Sequence, residues 1–310
     1  MDDQELLARS IAELKRTGQI EYTGEFGPEI TTFIPYVAWL KREGLLEGRR
    51  VVSHTGMEPY YFFLGEGEFS AKSQPRRWAP EAERDWPTNS TYTATPQPWH
   101  VYPDFRAHYR TMGRAFERPV LFIQNKFTVE YDIGPINYLP LRALEWLLAA
   151  MTRHFHVVYS RPRYAASGGG YSLDHNTACD YPDLAVVRRA EGVEILEETC
   201  AQSGAPYNQV KLEILAKSHV FVAVQGGGAH LLACFGQSLF LLLHRSGPEF
   251  PHAYRAGAYK YLATPPPVLL VAKDEGELNR GLKVLHAATP RPGGIHIGEQ
   301  ARADFDALRI

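Results

Sequence analysis

The chain is poor in the features that mark several common classes of protein. It has three cysteines, Cys179, Cys200 and Cys234, among 310 residues, and their spacing fits neither a zinc knuckle nor a CxxC pair. A small, odd number of thiols is typical of a reducing compartment. The formal net charge is −2, so the basic excess of a protein that coats nucleic acid is missing. We therefore expect no nucleic-acid partner, and any recognition of phosphate must be local.

Long apolar runs are missing as well. The longest, such as residues 239–243, fall far short of the roughly 20 residues that cross a bilayer as a helix. The segment MDDQELLARS is acidic and has no apolar centre, so it does not read as a secretory signal peptide. The sequence thus predicts a cytoplasmic protein with at most peripheral contact with a membrane.

The half of the chain that begins near Pro119 has a regular pattern of short apolar runs and amphipathic segments. Apolar strands that alternate with helices indicate a parallel sheet covered on both faces. We therefore predict a doubly wound α/β domain over residues 118–310. The predicted strands lie at 120–125, 156–160, 193–196, 219–225, 238–244 and 268–272, and the predicted helices at 140–154, 183–191, 208–217 and 275–287.

A chain of 310 residues is long enough for about two domains, and we predict a second α/β domain over residues 1–117. A helix over 2–17, a strand near 20–23, a helix that begins at Pro28 and a strand over 50–54 form a β-loop-α-β unit. Proline and tryptophan then interrupt residues 65–117. That stretch is either a lid or linker packed by its own aromatic rings, or a platform for the flat face of a sugar. The last helix could pack back on this first domain.

The strongest local pattern is a buried strand that ends in glycines. Gln225 is followed by Gly226, Gly227 and Gly228, and a helix that carries His230 begins at once. Glycines let a ligand approach the backbone closely, and the free N–H groups of a helix start attract phosphate. The alternative is a tight strand-to-helix turn that serves packing alone. His230 could touch a phosphate or be an ordinary packed histidine.

The segment SHVFVAVQGGGAHLLACFGQSLFLLLHR resembles the nucleotide-sugar segment of GT-B glycosyltransferases. The resemblance implies a GT-B-like fold, in which two Rossmann-like, doubly wound domains face a cleft. It implies that the C-terminal domain binds a nucleotide-sugar donor and that the N-terminal domain binds a glycan or lipid-linked acceptor. It further implies an inverting, metal-independent sugar transfer that needs no cofactor besides the nucleotide sugar, as in enzymes of polysaccharide biosynthesis.

An inverting transferase needs a base that takes the proton of the acceptor hydroxyl. In heptosyltransferase-like GT-B enzymes, which this chain resembles, an acidic residue in the first βα turn has that role. The motif GEFGPE at 24–29 offers Glu25 and Glu29, and we favour Glu25 because glycines flank it. Alternatively, Glu29 only complements the helix dipole and Glu25 is a solvated turn residue.

Polar residues follow the predicted strands of the C-terminal half at the end where α/β sheets bind ligands. Asn125 and Lys126 end the first strand, Arg161 and Arg163 follow the second, and His244 lies at the end of the fifth. A diphosphate leaving group needs a positive partner, so we predict that these residues bind the donor. Each of these residues alone could equally be a solvated side chain on a loop with no ligand to bind.

Two acidic pairs resemble metal ligands but are poorly placed. Asp304 and Asp306 lie in a predicted terminal helix, and Glu130 with Asp132 is only slightly better placed. We therefore predict no metal site. Two other functions remain open: a sugar-nucleotide epimerase or pyruvyltransferase on a GT-B-like fold, and a non-catalytic protein that binds a nucleotide or a sugar.

Overall fold

A computed structural model of the chain describes residues 3–74, 76, 97–130, 132–162, 179–247, 258–291 and 294–310. Arg163 and two of the tryptophans of the proline-rich stretch, Trp78 and Trp86, lie outside the described residues. Trp99 is described and lies buried in the hydrophobic core, so for this residue the packing interpretation is correct. No helix in the described part of the chain is long and apolar enough to cross a membrane.

Most strands along the chain are parallel to their neighbours, and the last two form an antiparallel pair. The helices are α1 (Asp3–Thr17), α2 (Phe26–Pro28), α3 (Ile34–Arg42), α4 (Phe105–Tyr109), α5 (Leu141–Met151), α6 (Asp183–Arg189), α7 (Leu196–Ser203), α8 (Tyr207–Lys217), α9 (Gly227–Ala233), α10 (Glu275–Ala287) and α11 (Arg302–Leu308). The strands are β1 (Gln19–Glu21), β2 (Arg50–His54), β3 (Phe69–Lys72), β4 (Val120–Gln124), β5 (His156–Ser160), β6 (Val193–Ile195), β7 (Ser218–Val224), β8 (Leu239–Leu243), β9 (Val268–Ala272), β10 (Ala288–Arg291) and β11 (Gly294–Ile297).

The six apolar runs of the second half form one sheet, as predicted. Its order is β6-β5-β4-β7-β8-β9, and every neighbouring pair is parallel. In order of appearance these strands are the first to the sixth of the sheet, so the arrangement is 3-2-1-4-5-6. The strand order reverses between β4 and β7, which is the topology of a doubly wound sheet that binds a ligand at its switch point.

The first half contains a smaller parallel sheet with the order β1-β2-β3. The predicted β-loop-α-β unit is confirmed, with a π-helical turn, Glu29–Phe33, between α2 and α3. The described strands run in sequential order and show no reversal, whereas a doubly wound sheet requires one. The prediction of a doubly wound N-terminal domain is therefore not met by the described strands.

Both faces of the six-stranded sheet are covered. Side chains along each strand point alternately to the two faces, and each face belongs to one hydrophobic cluster. Leu121 and Ile123 point to the face that α5, α10 and α11 cover. Phe122 points to the opposite face, where α8, α9 and residues of the first half form a shared hydrophobic core. The last helix packs against α10 and β9, so it lies on the larger sheet and not on residues 1–117. The division into domains 1–117 and 118–310 stays a prediction.

Helix α10 lies so close to the sheet that it needs a glycine at its inner face. A Cβ atom on Gly281 would lie 2.4 Å from Leu241 Cδ1. We expect Gly281→Ala to lower the free energy of unfolding by about 1–3 kcal/mol through overpacking, measured by urea denaturation. Gly276→Ala, in the first turn of the same helix, is the matched control. It should cost less, because its Cβ atom would lie 3.2 Å from the exposed side chain of Asp274, which can shift, and because alanine favours a helix over glycine by about 1 kcal/mol. Equal losses in the two variants would contradict this packing.

Candidate functional site

The candidate site lies at the carboxyl edge of the six-stranded sheet, between β4 and β7. These strands pair directly and their connections leave toward opposite faces, which is the arrangement at which doubly wound sheets bind their ligands. Gln124 and Val224 are the last residues of the two strands. The predicted residues Asn125, Lys126 and Gln225 therefore come together at this edge.

The glycine turn follows β7, as predicted, and contacts the first half of the chain. Gly226 has φ +136°, a conformation that favours glycine. A Cβ atom on Gly227 would lie 3.0 Å from the main-chain nitrogen of Gly27, and one on Gly228 would lie 1.4 Å from Gln124 Nε2. Close packing thus accounts for Gly227 and Gly228. Only Gly226 lies against a charged group.

That charged group is the ammonium of Lys126. A Cβ atom on Gly226 would lie 3.2 Å from Lys126 Nζ. The ammonium donates to Glu130 Oε2 at 2.9 Å and to Gln225 Oε1 at 3.2 Å. An ammonium has three N–H donors, and among the described residues the third has no partner. The side chain is 25% exposed, so this donor can reach a ligand.

Glu130 and Asn137 hold the lysine in place. Glu130 Oε1 accepts a hydrogen bond from the main-chain N–H of Asn137 at 2.8 Å, and Oε2 accepts one from Asn137 Nδ2 at 2.9 Å. Asn137 Nδ2 also lies 3.3 Å from Gln225 Oε1, so the connection between β4 and α5 is joined to the end of β7. Within the described residues there is no group of three or more His, Cys, Asp or Glu side chains that could hold a metal ion.

The two predicted histidines are buried and electrically neutral at physiological pH. Burial, followed by the charge of Lys126, lowers the pKa of His230 and of His244 to about 4. His230 Nδ1 lies 2.9 Å from the hydroxyl of Tyr259. Neither ring can therefore supply positive charge to a phosphate near pH 7, although a neutral ring can still form a hydrogen bond.

Asn125 and Arg161 brace the strand ends. Asn125 Oδ1 accepts from Leu139 N at 2.9 Å, and its amide lies 3.1 Å from the Tyr159 hydroxyl. The guanidinium of Arg161 forms an ion pair with the fully buried Asp183 and donates to main-chain carbonyls of residues 179 and 181 at 3.0 Å. These contacts do not bring Arg161 to Lys126, and the predicted contact of Arg161 with a donor stays a prediction.

Glu25 immediately precedes a turn that touches the candidate site. It is half-buried and extended, with φ −72° and ψ 163°, at the residue before α2. The next two residues pack on the glycine turn: Phe26 Cδ1 lies 3.1 Å from the Cβ position of Gly227, and the Cβ position of Gly27 lies 3.0 Å from His230 Cδ2. The first βα turn of the small sheet therefore meets the switch point of the large one.

Glu29 has a different environment. It is fully buried and pairs with Arg76, which is also fully buried, at 2.5 Å. The hydroxyls of Ser53 and Tyr61 donate to the same carboxylate. This carboxylate is already neutralised and shielded from solvent, which does not favour a base that must reach an acceptor. Sequence reasoning did not identify Arg76 as the partner of Glu29, because Arg76 lies far along the chain in the proline-rich stretch.

The comparisons with known proteins add little to this geometry. No protein-family model matches the sequence, and no curated protein matches it. Among solved structures, the chain is similar to a glycosyl transferase family 9 structure from Veillonella parvula DSM 2008. The identity is 12% and the TM-score is 0.35, over 96% of this chain and 78% of that chain. A likeness this distant carries no argument about fold or activity.

The buried ion pair gives a direct test of the role of Glu29. We expect Glu29→Gln to lower the free energy of unfolding by about 3–5 kcal/mol, because Arg76 is left as an uncompensated buried charge. The double variant Glu29→Gln/Arg76→Met should recover part of this loss. Denaturant unfolding measures both. The exposed pair of Glu13 and Arg16 supplies the control, since Glu13→Gln should leave unfolding unchanged. A Glu29→Gln variant of wild-type stability would contradict the role of Glu29 as the partner that neutralises Arg76.

Proposed function

We propose that the protein is a glycosyltransferase of the GT-B type, which moves a sugar from a nucleotide-sugar donor to a hydroxyl acceptor. The observation that carries the proposal is the meeting of two features at one place. One is the switch point of the 3-2-1-4-5-6 sheet, where Lys126 lies against Gly226. The other is the first βα turn of the small sheet, with Glu25 beside it.

In the proposed reaction, Lys126 faces the diphosphate of the donor. The free N–H donor of its ammonium forms a charged hydrogen bond to a phosphate oxygen, and such bonds are stronger than neutral ones. When the bond between the sugar and the diphosphate breaks, negative charge grows on the leaving oxygen, and a fixed cation stabilises it. Gly226 allows the phosphate to approach because it has no side chain.

Glu25 is the proposed general base. The acceptor hydroxyl gives its proton to the Glu25 carboxylate as its oxygen attacks the anomeric carbon, and the nucleoside diphosphate leaves from the opposite side. A displacement of this kind inverts the anomeric configuration. No metal takes part in this proposal, because Lys126 supplies the positive charge. Glu29 is the weaker candidate for the base since Arg76 already neutralises it.

Binding of the nucleotide is tested by calorimetry with a panel of nucleoside diphosphates, with and without EDTA. We expect binding in both conditions and a loss of about 10- to 100-fold in affinity for Lys126→Ala, because one charged hydrogen bond is removed. Lys283→Ala, an exposed lysine on α10, is the control and should bind as the wild type does. Unchanged affinity in Lys126→Ala would move the anion site elsewhere, and binding that EDTA abolishes would contradict metal independence.

Transfer is tested by the release of nucleoside diphosphate from a sugar nucleotide in the presence of an acceptor. Glu25→Gln keeps the shape of the side chain and removes its basicity, so turnover should fall by about 10²–10⁴-fold while nucleotide affinity is kept. Glu47→Gln, at an exposed position of the same part of the chain, should be fully active. A Glu25→Gln variant with wild-type turnover would show that the base lies elsewhere.

A further inference from the structure

The turn that carries Glu25 is held by side chains that have no part in the proposed chemistry. Two of them, Tyr22 and Arg76, are fully buried. Tyr22 directly follows β1 and Arg76 lies in the proline-rich stretch, so they approach the turn from different parts of the chain. Their contacts limit the freedom of the backbone on both sides of Glu25.

The peptide group after Glu25 is held by Tyr22. The Tyr22 hydroxyl donates a hydrogen bond to the main-chain carbonyl of Glu25 at 2.5 Å. The same carbonyl accepts a longer bond from the main-chain N–H of Glu29 at 3.3 Å. The Tyr22 ring packs on Phe33, with 5.0 Å between the ring centroids, and the main-chain N–H of Tyr22 donates to Val52 O at 2.9 Å. The hydroxyl therefore belongs to a residue whose ring and backbone are both fixed.

The peptide group before Glu25 is held by Arg76. The guanidinium Nη1 donates to the main-chain carbonyl of Gly24 at 3.3 Å, while Nη2 pairs with Glu29 at 2.5 Å. Gly24 also leaves room for the tyrosine, because a Cβ atom at this position would lie 2.7 Å from Tyr22 Oη. Real Cβ atoms essentially never show a separation under 3.0 Å, so a side chain at position 24 would displace the hydroxyl.

These contacts fix the direction in which the Glu25 side chain leaves the backbone. A peptide group is planar, so the backbone at one residue turns only about φ and ψ. The hydrogen bonds to the carbonyls of Gly24 and Glu25 hold the peptide planes on both sides of that residue. Just beyond it, Phe26 Cδ1 lies 3.1 Å from the Cβ position of Gly227. The Cα–Cβ bond of Glu25 thus has one direction, and the carboxylate can move only by rotations within the side chain.

We propose that Tyr22 is a positioning residue for Glu25, whose carboxylate it keeps aimed at one place. Tyr22 touches neither the donor nor the acceptor and acts only through the backbone of Glu25. A reacting group is effective only in the right geometry, and a misplacement of about 1 Å can cost about 10²-fold in rate. Proton transfer as the task of Glu25 rests on the proposed function, whereas the support of the turn by Tyr22 does not.

The proposal is tested with Tyr22→Phe, which removes the hydroxyl and keeps the ring. The variant should fold, because Glu29 still donates to the carbonyl of Glu25. We expect turnover to fall by about 10- to 100-fold, with the KM for the sugar nucleotide and the calorimetric affinity for nucleoside diphosphate unchanged. The matched control is Tyr36→Phe on α3. Tyr36 is equally buried and its hydroxyl donates to Ser10 Oγ at 3.0 Å, so its loss should leave turnover unchanged.

The double variant Tyr22→Phe/Glu25→Gln shows whether Tyr22 acts through Glu25. Once the base is removed its position no longer matters, so the double variant should turn over as fast as Glu25→Gln alone, since residues that act as a unit are not additive. A double variant slower than Glu25→Gln would overturn the proposal. Wild-type turnover in Tyr22→Phe, an equal loss in Tyr36→Phe, or a nucleotide affinity that falls in step with turnover would also overturn it.

Crystal structures separate the role of Tyr22 from the proposed transferase, because they need no activity. We expect one position of the Glu25 side chain in the wild type and in Tyr36→Phe, and a displaced side chain or several positions in Tyr22→Phe. The same behaviour of Glu25 in all three would overturn the role of Tyr22. A displacement in Tyr22→Phe, together with a wild type that transfers no sugar, would reject the transferase and keep the role of Tyr22 in fixing the turn.

Discussion

Two glycine backbones meet where the first part of the chain packs on the large sheet. A Cβ atom at Gly227 would lie 3.0 Å from Gly27 N, and one at Gly27 would lie 3.0 Å from His230 Cδ2. Contacts of this length are tighter than nine in ten real Cβ contacts, so a side chain at either position would require its neighbour to shift by a few tenths of an ångström. The position of Glu25 relative to Lys126 depends on this approach, because the two residues belong to different sheets.

The same contact shows that packing alone accounts for two glycines of the turn. The sequence alone allowed either a phosphate cradle or a packing turn, and the structure shows close packing at Gly227 and Gly228. Gly227 meets a backbone and Gly228 covers Gln124, so both serve packing. Gly226 is different, since its φ of +136° favours glycine and its neighbour is the Lys126 ammonium. A ligand that reaches this edge therefore meets a single open glycine beside a single lysine.

The large sheet was predictable because its strands are apolar on both faces and their ends carry polar residues. The prediction failed where a contact joins distant parts of the chain. The pairing of Glu29 with Arg76 and that of Lys126 with Gln225 depend on tertiary packing, which a periodic pattern does not encode. Strand β3 was missed because Phe69–Lys72 is half exposed and short. The burial of Glu29 was also not predictable. The motif GEFGPE indicates the start of a helix, but it does not show which residues pack around the carboxylate.

Charge at the carboxyl edge is balanced group by group. Lys126 faces Glu130, Arg161 faces Asp183 and Arg76 faces Glu29, while the two histidines are neutral. The described groups of this edge therefore carry little net charge, and such a set exerts a weak long-range field that does not steer an anion from a distance. Recognition of an anion at this edge must then come from short-range hydrogen bonds to charged groups, which are stronger than bonds between neutral groups. The remaining donor of Lys126 is such a group, since its side chain is 25% exposed and Glu130 and Gln225 fix its other two donors.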